Sequence, residues 1–266
     1  MEVFASGLSM GESPRWHERR LWVCDWMAGE VISFGAPGDR RIEQRVSGMP
    51  FSVDWLPDGR RVLSTATGVI FGDGSPYGAS GQSWNEIVVD AHGNTFVNAI
   101  GYDMMAGEEP KPGFVWVVRP DGSARKVADE LMFPNGMAVT ADGATLIVAE
   151  SHANRLCAFD IAPDGELTRR RVWAELAHPP DGICLDADGA VWYATVPGAC
   201  CERVAEGGRV LDRVTADRGC FACMLGGEDG RTLFAVAAQW GGVEGVGGST
   251  GQLLTHHAPT PHAGHP

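Results

Sequence analysis

Apolar and polar residues alternate in short runs along nearly the whole chain, and the runs come in pairs that fold back at a tight turn. LPDGRRVLST, VDAHGNTFVN, VTADGATLIVAE, LDADGAVWYAT and GEDGRTLFAVAA carry β-branched and aromatic residues on both sides of a glycine, at positions 59, 93, 143, 189 and 230. WHERRLWVCD, around Arg20, is a looser sixth copy. A period of two predicts strands, and a glycine that tolerates positive φ predicts the hairpin turn between them. Successive turns lie 39, 34, 50, 46 and 41 residues apart, close to the roughly 40 to 50 residues of a propeller blade. Most units carry a second turn, as in VVRPDGSARKV, FDIAPDGELTRRRV and RVAEGGRVLDRV, which supplies the outer strands of a four-stranded blade. No amphipathic helical pattern separates the units. A β-sandwich rarely repeats at this period and a β-helix has shorter coils, so the reading is all-β: a six-bladed β-propeller, with residues 1–266 as one domain.

In a propeller the innermost strand of every blade runs along the central channel, so one fixed offset per repeat marks one ring of side chains. Eight positions before the turn lie Glu12, Asn85, Asn135 and Asp181, with Phe51 and Ala222 at the same offset in the two remaining units. Asn and Asp are disfavoured in strands, so oxygen-bearing residues in one register need a reason. Two carboxylates and two amide carbonyls form a hard donor set that suits calcium, with magnesium, manganese, zinc and iron(II) as alternatives. Taken singly, Asn135 in PNGM and Asp181 in PDGI also read as ordinary turn residues. Four in register favour one central divalent metal ion.

Glu12 within GESPRW, Asn85 within SWNEIVVDAHGN, Asn135 within FPNGM and Asp181 within PPDGI resemble, in order and spacing, the metal-site motifs of the senescence marker protein/gluconolactonase/luciferin-regenerating-enzyme (LRE) family. The resemblance runs through nearly the whole chain, including GCFACMLGGEDGRTLF. It implies a six-bladed propeller, one catalytic divalent cation and hydrolysis of lactone esters, with Glu12, Asn135 and Asp181 as ligands and Asn85 on metal or substrate. Lactone opening needs a polarised carbonyl, an activated water and a stabilised oxyanion; Asp181 is the candidate general base or nucleophile. Two departures stand out. Sugar-lactonase members commonly place Arg where this chain has Ser83, and the usual Asn-Asp reads Asn85-Glu86, the added methylene being expected to face away from the metal. Phosphotriester or phosphorofluoridate hydrolysis at the same site, and a non-enzymatic interaction propeller plugged by metal, are the alternatives.

Loops at the same end of the ring place Ser83, Trp84, Phe51, Tyr102, Asp103, Met104 and Phe221 as candidate substrate contacts, which suggests an apolar or aromatic lactone or ester as the small-molecule partner. His152 and His178 sit at expected rim positions. AGEEPKPG, GDGSPYGASG and WGGVEGVGGSTG read as connections, and the tail THHAPTPHAGHP, rich in His and Pro, as a trailing segment. Net charge is −13 with no basic cluster, which argues against nucleic acid and anionic membrane as partners. MEVFASGLSM lacks the features of a signal peptide, so the expectation is a cytoplasmic protein. Cys220 and Cys223 form a CxxC and Cys200 and Cys201 are adjacent, but a second CxxC or His pair at zinc spacing is missing. The seven cysteines read as buried thiols.

Overall fold

The computed structural model describes residues 1–36, 38–241 and 248–266. They form 23 strands in six antiparallel sheets. The first sheet is β2 (Gly11–His17), β3 (Arg20–Asp25), β4 (Glu30–Phe34) and β5 (Arg40–Arg45), and the second β6 (Ser52–Trp55), β7 (Arg61–Ser64) and β8 (Val69–Phe71). The third holds β9 (Glu86–Val89), β10 (Thr95–Ala99), β11 (Gly113–Val118) and β12 (Ala124–Leu131), and the fourth β13 (Pro134–Val139), β14 (Thr145–Glu150), β15 (Arg155–Ile161) and β16 (Leu167–Glu175). The fifth is β17 (Ile183–Leu185), β18 (Val191–Thr195), β19 (Cys200–Val204) and β20 (Val210–Thr215). The sixth joins β21 (Gly219–Gly226), β22 (Thr232–Ala238) and β23 (Gly251–His257) to β1 (Glu2–Leu8) at its outer edge. Inner strands β2, β6, β9, β13, β17 and β21 neighbour one another around a closed ring, so the molecule is a six-bladed β-propeller.

Each turn read from the sequence joins the first and second strands of a blade. Gly59, Gly93, Gly143, Gly189 and Gly230 all have positive φ, and each N–H returns to the carbonyl three residues earlier, as in Gly93 to Asp90 at 3.0 Å. In the first blade Glu18 and Arg19 take positive φ without glycine. Adjoining blades bury apolar faces against each other: Val88, Phe96 and Val115 of the third blade pack with Met137, Leu146 and Val148 of the fourth. Such side chains each contribute about 1.5 to 3 kcal/mol when fully buried.

The second blade has three strands. After Phe71 the chain reads GDGSPYGASG, in which the glycines and a proline without an N–H donor work against a fourth strand. The segment returns instead through a bridge between Ile70 and Pro76 and inserts Tyr77 and Trp84 into the core beside it. The glycine-rich WGGVEGVGGSTG includes residues 242–247, which lie outside the described residues.

The tail is bound to the fold, contrary to its reading as a trailing segment. Ala187 N–H donates to Pro261 O at 2.9 Å, Ala263 N–H to Leu185 O at 3.1 Å, and Val139 and His265 exchange both backbone hydrogen bonds. Val139 and Leu185 end their inner strands, so the tail crosses the ring at the end opposite Asp181. Composition hid this because the pairing is through backbone groups, which proline and histidine do not advertise. Among the described residues no helix is long and apolar enough to cross a membrane.

Candidate metal centre

Glu12 lies in β2 and Asn135 in β13, while Asn85 and Asp181 come immediately before β9 and β17. PNG and PDG are not turns here: Asn135 is in a strand, and neither Gly136 nor Gly182 has positive φ. These glycines serve close approach. A Cβ on Gly136 would stand 2.6 Å from Asp181 O, and one on Gly182 would stand 2.5 Å from Ala222 Cβ. Without side chains there, the inner strands of three blades converge tightly, with Gly136 N–H donating to Asp181 O and Gly182 N–H to Phe221 O.

Three of the four residues of the common register, Glu12, Asn135 and Asp181, act on one another. Asn135 hydrogen-bonds the Asp181 carboxylate, whose charge acts directly on Glu12. Asn85 Nδ2 donates to Pro134 O at 3.2 Å, and Asn135 Nδ2 to Ser151 Oγ at 3.3 Å. Ser151 Oγ in turn donates to Pro180 O at 2.7 Å, and Asn98 Nδ2 to Asn135 O at 2.7 Å. With both amide nitrogens turned onto protein acceptors, Oδ1 of Asn85 and of Asn135 remain as donor atoms.

Burial holds the Glu12 carboxyl well above the usual carboxylate range, and the charges of Asp181 and Glu86 push it the same way. Asp181 is raised to about 8, first by burial and then by Glu86, against hydrogen bonds from Asn135 and the Gly182 N–H. Among the described residues no arginine or lysine offsets either one. Two acidic side chains, Glu12 buried and Asp181 half-buried, with two amide oxygens beside them form a donor set that a hard divalent cation would satisfy. Among the described residues there is no cluster of three or more His, Cys, Asp or Glu side chains arranged to hold a metal; the candidate set here is two carboxylates and two amides.

The candidate substrate contacts separate into two groups. Tyr102 is half-buried, edge-on to Phe133, which leans on His152 at 4.6 Å; Phe221 is buried edge-on against the exposed Trp240. Ser83, Asp103 and Met104 are exposed, and Asp103 Oδ1 accepts the Ala106 N–H within its own loop. Trp84 and Phe51 point elsewhere, which corrects the expectation that they wall the pocket. The Trp84 indole donates to Ala79 O and packs edge-on to Phe114 and Trp116, and Phe51 is enclosed with Val53 and Leu63. His178 reaches Arg213 at 3.1 Å. All seven cysteines are buried free thiols, with Cys223 Sγ donating to Gly182 O and Trp192 O.

Three site features escaped sequence reading. Ser151, in the short turn just after β14, and Asn98, in β10, hold Asn135 by hydrogen bonds and have no register signal. Glu86 does not simply face away: its Oε1 accepts Arg15, Ser13 Oγ and the Ile87 N–H.

A six-bladed propeller with two acids and two asparagines at the starts of its inner strands is the class that fold and site define. Residues 10–239 match the model of the SMP-30/gluconolactonase/LRE-like region, and the chain belongs to that family. It is 24% identical to regucalcin of Xenopus laevis over 264 residues, covering 89% of this chain and 85% of that one. It is 26% identical to the 6-deoxy-6-sulfogluconolactonase of Pseudomonas putida over 170 residues, 62% of this chain and 57% of that one. A luciferin-regenerating enzyme has the same fold, with a TM-score of 0.81 at 18% identity over 99% of this chain and 97% of that one. A gluconolactonase of Xanthomonas campestris has a TM-score of 0.76 at 20% identity, over 97% and 89%.

Proposed function

We propose that this protein is a divalent-metal-dependent lactonase whose cation is held by Glu12, Asn135, Asp181 and Asn85. The observation that carries the reading is the donor set itself: one buried and one half-buried carboxylate without a cationic partner among the described residues, and two asparagines whose nitrogens are engaged by protein acceptors. Family relatives named as lactonases support the reaction class. Calcium is the best match to an all-oxygen set in a family that includes regucalcin, one of whose structures is described as a calcium-binding protein. When bound, such a cation supplies Lewis-acid polarisation of the lactone carbonyl.

The chain's own groups do the rest. On this reading Asp181 is the carboxylate that takes a proton from water or attacks the carbonyl carbon. Glu12 balances cation charge, and Asn135 holds Asp181 through its amide. Phe221, Tyr102, Phe133 and the Trp240 edge offer apolar walls, while Ser83 brings no cation to a sugar acid. An alkyl or aryl lactone is therefore the preferred substrate class.

The test is metal analysis of the purified protein, then a lactone and ester panel with calcium, magnesium, manganese or zinc restored after chelation. Lactone turnover that needs the cation supports the reading. Its absence from a reconstituted protein, or phosphotriester turnover in its place, overturns it.

A further inference from the structure

Glu86 and Arg15 form a buried ion pair that no site motif predicts. Arg15 belongs to β2 and Glu86 begins β9, strands of the first and third blades that are not neighbours in the ring. Arg15 is 5% and Glu86 7% exposed, and their contact is 3.0 Å. Arg15 also donates to Ile87 O at 2.6 Å and to Pro14 O at 2.9 Å. Ser13 Oγ donates to the same Glu86 Oε1 at 3.0 Å, and the Ile87 N–H at 2.8 Å. One carboxylate oxygen thus gathers three donors, two of them from the first blade.

The residues in this contact adjoin the candidate ligands along the chain. Ser13 follows Glu12, and Glu86 follows Asn85. Ser13 has φ 50°, a left-handed conformation that a non-glycine residue keeps only where surroundings enforce it. It lies where the chain leaves Glu12, at an irregularity of the β2–β3 pairing between Glu12 and Arg15.

We infer that Arg15, Ser13 and Glu86 form a latch across the channel that sets the distance between Glu12 and Asn85, making Glu86 a positioning residue for the cation. This rests on the proposed reading of the site as a metal centre. Reach decides why glutamate stands here: aspartate is one methylene shorter and falls short of the first blade. Retaining the charge is not sufficient on this account; the length is required.

The experiment is calcium titration by calorimetry on chelator-stripped full-length protein, with melting temperature and kcat followed in parallel. Partners that orient first ligands typically contribute about 10 to 100-fold in metal affinity. Glu86→Asp should weaken calcium binding by about that factor, and raising calcium should restore kcat. Ser13→Ala, which keeps the ion pair and is the milder test of folding, should weaken binding by a smaller factor, about threefold. Glu86→Asp binding calcium within about twofold of the parent would overturn the latch, as would a lower melting temperature with unchanged affinity. Glu12→Gln is the reference. If it loses calcium while Glu86→Asp does not, the latch fails and the metal centre stands; if Glu12→Gln also binds like the parent, the metal centre itself fails.

Discussion

Glu12 and Glu150 are both buried glutamates, and their surroundings treat them in opposite ways. Burial would raise Glu150, but Arg155, the Met132 N–H and Arg170 outweigh it and hold its carboxyl below the usual range. Arg155 Nε and Arg170 donate to it at 3.0 and 3.1 Å. Asp186, fully enclosed, has Arg203 at 2.6 Å, and Glu202 has the Tyr193 hydroxyl and Arg213. Glu12 and Asp181 have acidic neighbours instead. Asp25, Asp54 and Asp90 are buried without an arginine too, but N–H donors satisfy them. Glu12 and Asp181, with acidic neighbours and no arginine or lysine among the described residues, leave room for a cation from outside.

The sharpest way to break this contrast is Asp181→Asn. It removes charge and proton acceptor together, so turnover should fall by about 10³-fold or more, measured at saturating calcium, while the melting temperature of the metal-free protein holds or rises. Asn85→Ala should cost less. Parent-like turnover by Asp181→Asn at full metal content would take Asp181 out of the chemistry. The paired acids should respond in the other currency: Arg203→Met leaves Asp186 buried without its partner, which typically costs about 3 to 5 kcal/mol. Denaturant unfolding should register that loss with kcat little changed below the melting point; an unchanged midpoint would dissolve the distinction.

A pH series sharpens it further. In the metal-free protein Asp181 keeps its proton up to about pH 8, against an ordinary value of 3.8. The unfolded chain binds fewer protons in between, so stability from this group is full below about pH 4 and is lost as pH rises through about 8. Glu12 shifts in the same direction. Thermal melts with chelator should fall across that window, and calcium should flatten the slope. A melt independent of pH would mean the acids are not buried as described. The smallest change is at the rim: Ser83→Arg should raise kcat/KM for a sugar-acid lactone by about tenfold, in keeping with one charged hydrogen bond, and leave an alkyl lactone unaffected. Equal gains on both substrates would remove Ser83 from specificity.

The blade turns and the ring register were legible because both depend on local rules. A glycine at positive φ announces the hairpin, and a constant distance from it finds the channel end of each inner strand. That count reached Glu12, Asn85, Asn135 and Asp181. It also reached Phe51, where it misled: offset fixes the height along the axis and leaves the direction of the side chain to packing. Trp84 followed the same error, because alternation next to Asn85 turns it into the core. Arg15 and Glu86 are 71 residues apart, in blades that meet only across the channel. No periodicity encodes that encounter, and only three-dimensional closure reveals it.

The pairing of Glu2–Leu8 with Gly251–His257 also fixes an order of events during synthesis. The first strand leaves the ribosome without its partner and must wait while some 240 residues follow, roughly 10 to 50 s at ordinary elongation rates. Until then Phe4 and Leu8 lack the Phe234 and Leu253 surface that covers them. The last blade is the one in which a nascent chain is most open to capture by a chaperone or by a second chain's β23.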